Sequence, residues 1–227
     1  MPEITALTVQ RRRRSRINVF LDGEYAFSLQ ETLAATLRLG QELDAEAVAA
    51  LRREDQIEDA YDRVLNYLTY RPRSEWEVRQ YLKKRDLSDD AQAAVLARLT
   101  RTGLVNDREF AQFWVENRTA HRPRGRRALE FELRQKGIAT GVVESAVAHV
   151  DEEAAALAAA EARAERLARL DRQTFRQRLY GFLQRRGFSY DVCRQVTDLL
   201  WERVHGASSA GDSAEGADPE GELADSS

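Results

Sequence analysis

Apolar and polar residues alternate along the first part of the chain. Every second residue is apolar in the runs 17–21 and 25–29, and Asp22-Gly23 lies between them. An Asp-Gly pair between two alternating runs is typical of a β-hairpin with a two-residue turn. The pattern therefore predicts a small β-hairpin or three-stranded element within residues 1–54. We expect short helices to follow it, around residues 30–38 and 44–53.

From residue 55 onwards the apolar spacing changes to every third or fourth residue. This is the i, i+3, i+4, i+7 spacing of an amphipathic helix. Ser74 with Glu77 three residues later has the spacing of a capping box and predicts the start of a second helix. Gly103 predicts the end of a third. The first stripe consists of Ile57, Ala60, Tyr61, Val64, Leu65 and Leu68.

The same three-helix pattern occurs three times. The segments YLKKRDLS, ELRQKGIAT and FLQRRGFSY align Leu82 with Leu133 and Leu183, at steps of 51 and 50 residues. Gly137 and Gly187 follow the second and third leucine at the same distance, where glycine ends a helix. Recurrence at a fixed interval is the signature of a repeat architecture. We predict a mainly α-helical fold with three tandem three-helix repeats, at residues 55–105, 106–150 and 151–205.

Residues 206–227, GASSAGDSAEGADPEGELADSS, differ from the rest in composition. They are rich in Gly, Ser and Asp, and they contain six carboxylates and no Lys or Arg. Such a segment cannot bury enough apolar surface to fold, so we predict a disordered acidic tail. The net charge of −3 therefore divides into +3 for residues 1–205 and −6 for the tail.

Basic residues concentrate on the middle helix of each repeat and on the loop before it. In the first two repeats six basic residues stand there against two acidic ones, and in the third five stand against none. Stacked repeats would join them into an extended basic stripe, which suits a long anionic partner. A solvated helix face without a partner is the simpler alternative. The candidate binding residues are Arg71, Arg73, Lys83, Lys84, Arg122, Arg124, Arg126, Arg127, Lys136, Arg172, Arg176, Arg185 and Arg186.

Sequence motifs for catalysis and cofactor binding are absent. No Gly-rich nucleotide-binding loop occurs, and the three histidines lack the spacing of metal ligands. We therefore expect a protein that is not an enzyme, with no catalytic residue, metal or cofactor. A metal-dependent nuclease using Asp89-Asp90 or Asp151-Glu152-Glu153 is a weaker alternative. Each of these groups opens a predicted helix, where carboxylates stabilise the helix dipole.

The apolar runs are short throughout the chain. None approaches the roughly 18 residues that a membrane span requires, and the N-terminus has no continuous apolar segment typical of a secretory signal. We expect a cytoplasmic monomer that makes no membrane contact.

Four segments resemble the RecX family, the regulatory proteins that modulate the RecA recombinase. They lie within residues 55–205 in the family's order and spacing, and Asp86 stands where the later repeats have glycine. Residues 1–54 and 206–227 show no likeness on which we rely. The segments are RPRSEWEVRQYLKKR, LTRTGLVNDREFAQFWVENR, RGRRALEFELRQKGI and LQRRGFSYDV.

The resemblance implies an elongated, curved array of repeats that lies in the groove of a RecA filament on single-stranded DNA. It also implies inhibition of RecA ATPase, strand exchange and co-protease activity, and so modulation of recombinational repair and the SOS response. The basic residues would then contact acidic RecA surface or DNA phosphates. A stand-alone single-stranded DNA-binding protein that uses the same stripe is the alternative.

Overall fold

The computed structural model describes residues 1–11, 15–85 and 87–211, and the side chains among these up to residue 206. The strands are β1 (Ile4–Val9), β2 (Arg16–Leu21) and β3 (Glu24–Gln30). The helices are α1 (Glu31–Ala34), α2 (Ala45–Leu68), α3 (Glu75–Lys83), α4 (Asp89–Arg101), α5 (Asp107–His121), α6 (Arg126–Gln135), α7 (Thr140–Val147), α8 (Glu152–Leu167), α9 (Arg172–Arg185) and α10 (Tyr190–Gly211). The fold is therefore mainly α, as predicted. No helix in the described ranges is long and apolar enough to cross a membrane.

The N-terminal strands form an antiparallel sheet in the order β1-β2-β3. Asp22 and Gly23 join β2 to β3 with φ angles of 48° and 88°. Positive φ at both positions is what a type I′ hairpin turn requires, so the predicted hairpin is confirmed. One face of the sheet is buried through Val19 and Leu29, and Val48 of α2 packs against this core.

Helix α2 crosses the predicted boundary at residue 54. The sequence suggests a short helix around 44–53 and a separate one from residue 55, whereas α2 is one helix of 24 residues. It contains neither glycine nor proline, so nothing interrupts its backbone hydrogen bonds. Its first half packs on the sheet and its second half contributes Tyr61 and Val64 to the core of the first repeat. Helix α1 is shorter than predicted and ends at Ala34.

The three predicted repeats are confirmed as sets of three helices. The first consists of the second half of α2 with α3 and α4, the second of α5 to α7, and the third of α8 to α10. The aligned leucines Leu82, Leu133 and Leu183 are completely buried. The capping box at Ser74 is also present, because Ser74 and Glu77 exchange side-chain and backbone hydrogen bonds.

Internal contacts divide the chain into two compact units. The first contains Met1–Phe110 with Lys136–Ile138, and the second contains Ala111–Gln135 with the described residues from Ala139 onwards. The three residues that follow α6 thus belong with the first repeat rather than with their own. The elongated and curved arrangement of the repeats stays a prediction.

Each unit contains a hydrogen bond that joins one repeat to the next. In the first inter-repeat contact, the Ser74 hydroxyl donates to the carbonyl oxygen of Lys136 at 2.8 Å. In the second, the Gly125 N–H donates to the carbonyl oxygen of Arg186 at 3.0 Å. Ser74 and Gly125 both directly precede a middle helix and are 51 residues apart. The repeats therefore join their neighbours through equivalent sequence positions, with a side-chain hydroxyl as the donor in the first contact and a backbone N–H in the second.

Glycine is required at these contacts. Gly137 and Gly187 have φ angles of 77° and 82°, which confirms them as left-handed helix ends. A Cβ atom on Gly137 would clash with the side chain of Trp76, and one on Gly187 would clash with Ala128. Asp86, the predicted equivalent in the first repeat, lies outside the described residues.

The C-terminal helix is longer than the sequence suggests. Helix α10 ends at Gly211, so residues 206–211 are helical where the predicted tail begins. The rest of the predicted tail, residues 212–227, lies outside the described residues.

Candidate functional site

The candidate basic residues occur in two environments. Six are exposed, and their side chains make no hydrogen bond or ion pair with any residue that the structure describes. These groups can bind a partner without giving up a contact in the fold. They lie beside the ends of the three middle helices and are Lys83, Lys84, Arg122, Arg127, Arg172 and Arg185.

The other seven candidates interact with groups of the protein itself. The Arg126 guanidinium donates to the carbonyl oxygen of Val150 at 2.7 Å, and Arg176 lies 3.1 Å from a carboxylate oxygen of Asp198. These contacts stabilise the fold, so the stripe is less uniformly available than the sequence suggests. The seven are Arg71, Arg73, Arg124, Arg126, Lys136, Arg176 and Arg186.

Glu77 neutralises two of the predicted binding residues in the first unit. Arg71 donates to both of its carboxylate oxygens, at 2.8 and 3.0 Å, and Lys136 Nζ donates to one of them at 2.7 Å. Burial alone would raise the pKa of Glu77, but the hydrogen bonds from Arg71 and Lys136 outweigh it and lower this pKa to about 2. Glu77 is therefore ionised at neutral pH and acts as a built-in counter-ion.

Glu132 has the same role in the second unit. It accepts from Trp114 Nε1 at 2.8 Å and from Arg118 Nε at 2.7 Å, and Arg124 Nε lies 3.0 Å from its other oxygen. The Arg118 guanidinium also lies over the Trp114 ring, 4.4 Å from its centroid. Arg124 is thus partly neutralised before any partner binds.

A stack of two tyrosines between two arginines lies in the first repeat. Tyr67 and Tyr81 are stacked with ring centroids 4.3 Å apart. Arg73 lies over Tyr67 at 4.0 Å and Arg85 lies over Tyr81 at 3.5 Å. Cation–π contacts of this kind hold a guanidinium group in place without neutralising its charge.

The third repeat gathers guanidinium groups around Phe182. The Cζ atoms of Arg163 and Arg186 lie 4.8 and 4.7 Å from the centroid of its ring. Arg186 Nη1 also donates to the carbonyl oxygen of Pro123 at 3.2 Å, which places it beside the two arginines that flank Pro123. The Phe182 cluster consists of Phe182 with Arg122, Arg124, Arg163 and Arg186.

The tyrosine stack, the Glu132 contacts and the Phe182 cluster each include a residue at the same position of the repeat. Tyr81, Glu132 and Phe182 each directly precede an aligned, buried leucine. Sequence reasoning missed this position, and with it Arg163, because charge was counted helix by helix and the helix of Arg163 is acidic overall. A comparison of the residues that precede the three aligned leucines would have identified this position from the sequence.

The acidic groups considered for a nuclease lie at the N-termini of helices, where they stabilise the first turn. The Asp151 carboxylate accepts from the Ala154 N–H at 3.0 Å as the N-cap of α8, and Asp89 and Asp90 lie in the first turn of α4. In the described ranges, no three His, Cys, Asp or Glu residues are close enough together to hold a metal ion. These carboxylates have a structural use that accounts for their positions.

Comparison with known families gives four matches along the chain. Residues 2–44 match the N-terminal domain of regulatory protein RecX. Residues 60–99, 106–147 and 151–197 match the first, second and third three-helix domains of RecX. The matches include the N-terminal region, where the sequence showed no likeness on which we relied.

Individual relatives agree with these matches. The regulatory protein RecX of Bacillus subtilis is 33% identical over 205 residues, which cover 88% of this chain and 78% of the relative. That of Lactobacillus gasseri is 31% identical over 205 residues, covering 88% and 75%. A crystal structure of regulatory protein RecX is similar with a TM-score of 0.72 and 30% identity, covering 87% of this chain and 100% of that one. The structure of RecX from Lactobacillus salivarius has a TM-score of 0.60 and 25% identity, covering 65% and 97%.

Proposed function

This chain belongs to the RecX family of regulatory proteins, and on that basis we propose that it binds the RecA recombinase on single-stranded DNA and inhibits the filament. The proposed effects are lower RecA ATPase, strand exchange and co-protease activity, and hence modulation of recombinational repair and the SOS response. We propose that it lies in the groove of the filament, where its repeats follow successive RecA subunits.

The observation that carries this proposal is the recurrence of exposed basic residues on the three middle helices. Lys83 ends α3 and Lys84 directly follows it, Arg127 lies in the first turn of α6, and Arg185 ends α9. All four are exposed, so they can meet carboxylates or phosphates without breaking a contact in the fold. A filament of RecA on DNA presents anionic groups repeatedly, which suits binding residues that also repeat.

Reversal of these four charges tests the proposal. We expect Lys83, Lys84, Arg127 and Arg185, all changed to Glu, to raise the concentration needed for half-inhibition of RecA ATPase tenfold or more. The physical reason is that the introduced glutamates would repel the carboxylates and phosphates of the filament, which the native lysines and arginines are proposed to attract. Arg124 and Arg126 are left unchanged, because their contacts with Glu132 and Val150 are part of the fold.

A matched control carries the same change in charge elsewhere. Arg53, Arg101, Arg108 and Arg194 are exposed and lie outside the middle helices. Their reversal to Glu should leave half-inhibition within about threefold of the unchanged protein. Circular dichroism should show the same helix content in both variants. Equal loss of inhibition in both would contradict a role for the middle helices.

The aromatic-held arginines favour the alternative of direct binding to single-stranded DNA. Arg73 on Tyr67 and Arg163 and Arg186 on Phe182 present positioned guanidinium groups. Binding to labelled oligonucleotide without RecA, measured across a salt series, separates the two functions. Tight binding with a steep salt dependence, together with no effect on RecA ATPase, would favour the alternative.

A further inference from the structure

The two inter-repeat contacts are built from equivalent residues but differ by one carboxylate. In the first contact, Glu77 lies between Arg71 and Lys136. Arg122 comes 51 residues after Arg71 and Arg186 comes 50 residues after Lys136, so both cations recur in the second contact. The residue 51 positions after Glu77 is Ala128. The second contact thus keeps the two cationic positions and lacks the anion.

The second contact also contains additional positive charge. Arg163 and Arg186 both contact the ring of Phe182, and Arg124 is two residues from Arg122 in the loop before α6. Within the described residues no carboxylate pairs with Arg122, Arg163 or Arg186, and Arg163 Nε is buried without a hydrogen-bond partner. Arg124 shares the single carboxylate of Glu132 with Arg118.

The electrostatic state of the two contacts differs accordingly. The hydrogen bond to Glu77 raises the pKa of Arg71. Burial, and then the like charges of Arg124, Arg122 and Arg163, lower the pKa of Arg186. A cation whose protonated form is disfavoured by its neighbours gains most from a bound anion.

We propose that the Phe182 cluster is an anion-binding site that takes a backbone phosphate of single-stranded DNA, in the place that the Glu77 carboxylate fills in the first inter-repeat contact. For its choice of ligand this inference rests on the proposed function. The cluster belongs entirely to the second compact unit.

The number and type of cations favour a nucleic acid strand over an acidic side chain. The one carboxylate of Glu77 satisfies two cations. In the Phe182 cluster, Arg122, Arg163 and Arg186 have no carboxylate partner among the described residues, and Arg124 shares that of Glu132. A strand supplies several phosphates in succession, so it can neutralise more than one of them. The planar guanidinium fork also matches two oxygens of a phosphate. Phe182 supports the arginines rather than stacking on a base, because guanidinium groups lie on its ring.

Ala128→Glu tests the site by supplying the missing carboxylate. Position 128 is in the first turn of α6, where a glutamate is favourable for the helix, so the variant should fold. We expect the dissociation constant for a fluorescein-labelled oligothymidine to rise about tenfold near 0.1 M salt. The slope of log K against log salt should become shallower by about 0.7 for each lost phosphate contact. Removing the cations instead, with Arg163→Gln and Arg186→Gln together, should give the same two changes.

Two controls separate site filling from other effects. Ala128→Gln adds the same bulk without charge, and Ala148→Glu adds the same charge at an exposed alanine of the second unit, at the end of α7. Both should bind the oligonucleotide within about twofold of the unchanged protein. If Ala128→Glu is no weaker than Ala148→Glu, or if the double glutamine variant binds normally, the inference is overturned. Competition by polyglutamate as strong as that by oligothymidine at equal charge would overturn the choice of a nucleic acid.

RecA ATPase inhibition is measured on the same variants so that the two proposals fail separately. Weaker DNA binding with inhibition still present supports the phosphate site and leaves the proposed function in place. If the variants bind DNA normally but no longer inhibit RecA, the phosphate site is overturned, while the proposed function is not contradicted. If the unchanged protein binds DNA but does not inhibit RecA, the proposed function is overturned and the phosphate site is not.

Discussion

Individual residues in this protein show how position decides what a charge does. Glu77 and Glu75 lie two residues apart in the first turn of α3, and each pairs with an arginine. Glu77 is only 8% exposed and receives hydrogen bonds from Arg71 and Lys136. Glu75 pairs with Arg79 one turn away, on a surface where solvent screens the attraction. Only Glu77 also joins two repeats, through its ion pair with Lys136.

Replacement of Glu77 by glutamine should destabilise the protein measurably. It leaves Arg71 and Lys136 without their counter-ion, so we expect the free energy of unfolding at pH 7 to fall by roughly 1–3 kcal/mol. Urea unfolding followed by circular dichroism measures this loss. The matched change Glu75→Gln should cost less than about 0.5 kcal/mol. Similar losses in the two variants would contradict the role assigned to Glu77.

The same carboxylate should contribute to acid sensitivity. Its folded pKa of about 2 lies below the roughly 4.3 of an unfolded glutamate. Its contribution is therefore fully present above the unfolded pKa and is lost as pH falls through this interval towards the folded pKa. Unfolding free energies measured between pH 5 and pH 2 should fall less steeply in Glu77→Gln than in the unchanged protein. Parallel pH curves would rule out this contribution.

At the scale of elements, α2 connects the N-terminal sheet to the first repeat. Asp55, near the middle of α2, accepts from Arg16 Nη2 of β2 at 2.6 Å and from the Gln30 N–H at the end of β3 at 2.7 Å. One buried carboxylate therefore satisfies groups on two strands. This linkage and the uninterrupted helix explain why residues 1–54 are not separated structurally from the first repeat.

Asp55→Ala should loosen this connection without unfolding the repeats. It leaves the Gln30 N–H and the Arg16 guanidinium without their acceptor, which we expect to cost roughly 1–3 kcal/mol. Hydrogen exchange should show faster exchange of the Gln30 amide, while the amides of α4 stay protected. Asp59→Ala, which removes a more exposed pair with Arg63 on the same helix, is the control and should leave the Gln30 amide unchanged. Unaltered exchange at Gln30 in Asp55→Ala would contradict the linkage.

Over the whole molecule, net charge is divided unevenly along the chain. The six carboxylates among residues 212–227 account for more than the total charge of −3, and the remainder carries +3. Because α10 continues to Gly211, removal of the acidic segment should begin after that residue to keep the helix intact. The predicted tail boundary at 206 would have cut into α10.

Truncation after Gly211 should speed association with single-stranded DNA at low salt. The net charge changes from −3 to +3, so long-range repulsion becomes attraction. We expect the association rate to rise severalfold near 20 mM salt and the difference to vanish near 0.5 M, where charges are screened within a few ångströms. Stopped-flow fluorescence measures both rates. A full-length variant with all six carboxylates changed to amides should match the truncation, and an unchanged rate at low salt would contradict the proposed charge effect.

Much of the fold could be predicted because local rules determine it. The Asp22-Gly23 turn, the Ser74 capping box and the glycine ends at Gly137 and Gly187 depend on a few neighbouring residues, and all appear where expected. The candidate site was harder to predict. Summed charges identified the middle helices, but they could not show that Arg71 or Arg124 already has a carboxylate partner.

The positions of helices, turns and buried leucines are encoded locally, because they follow from short-range backbone preferences and from a repeat of about 50 residues. Which cations are neutralised and which remain for a partner depends instead on the tertiary structure. Glu77 and Lys136 are 59 residues apart in the chain, yet they form an ion pair. Arg163 lies in α8 and Arg186 directly follows α9, yet both contact one aromatic ring. Electrostatic interactions depend on distance in space, and the packing of one repeat on the next sets that distance.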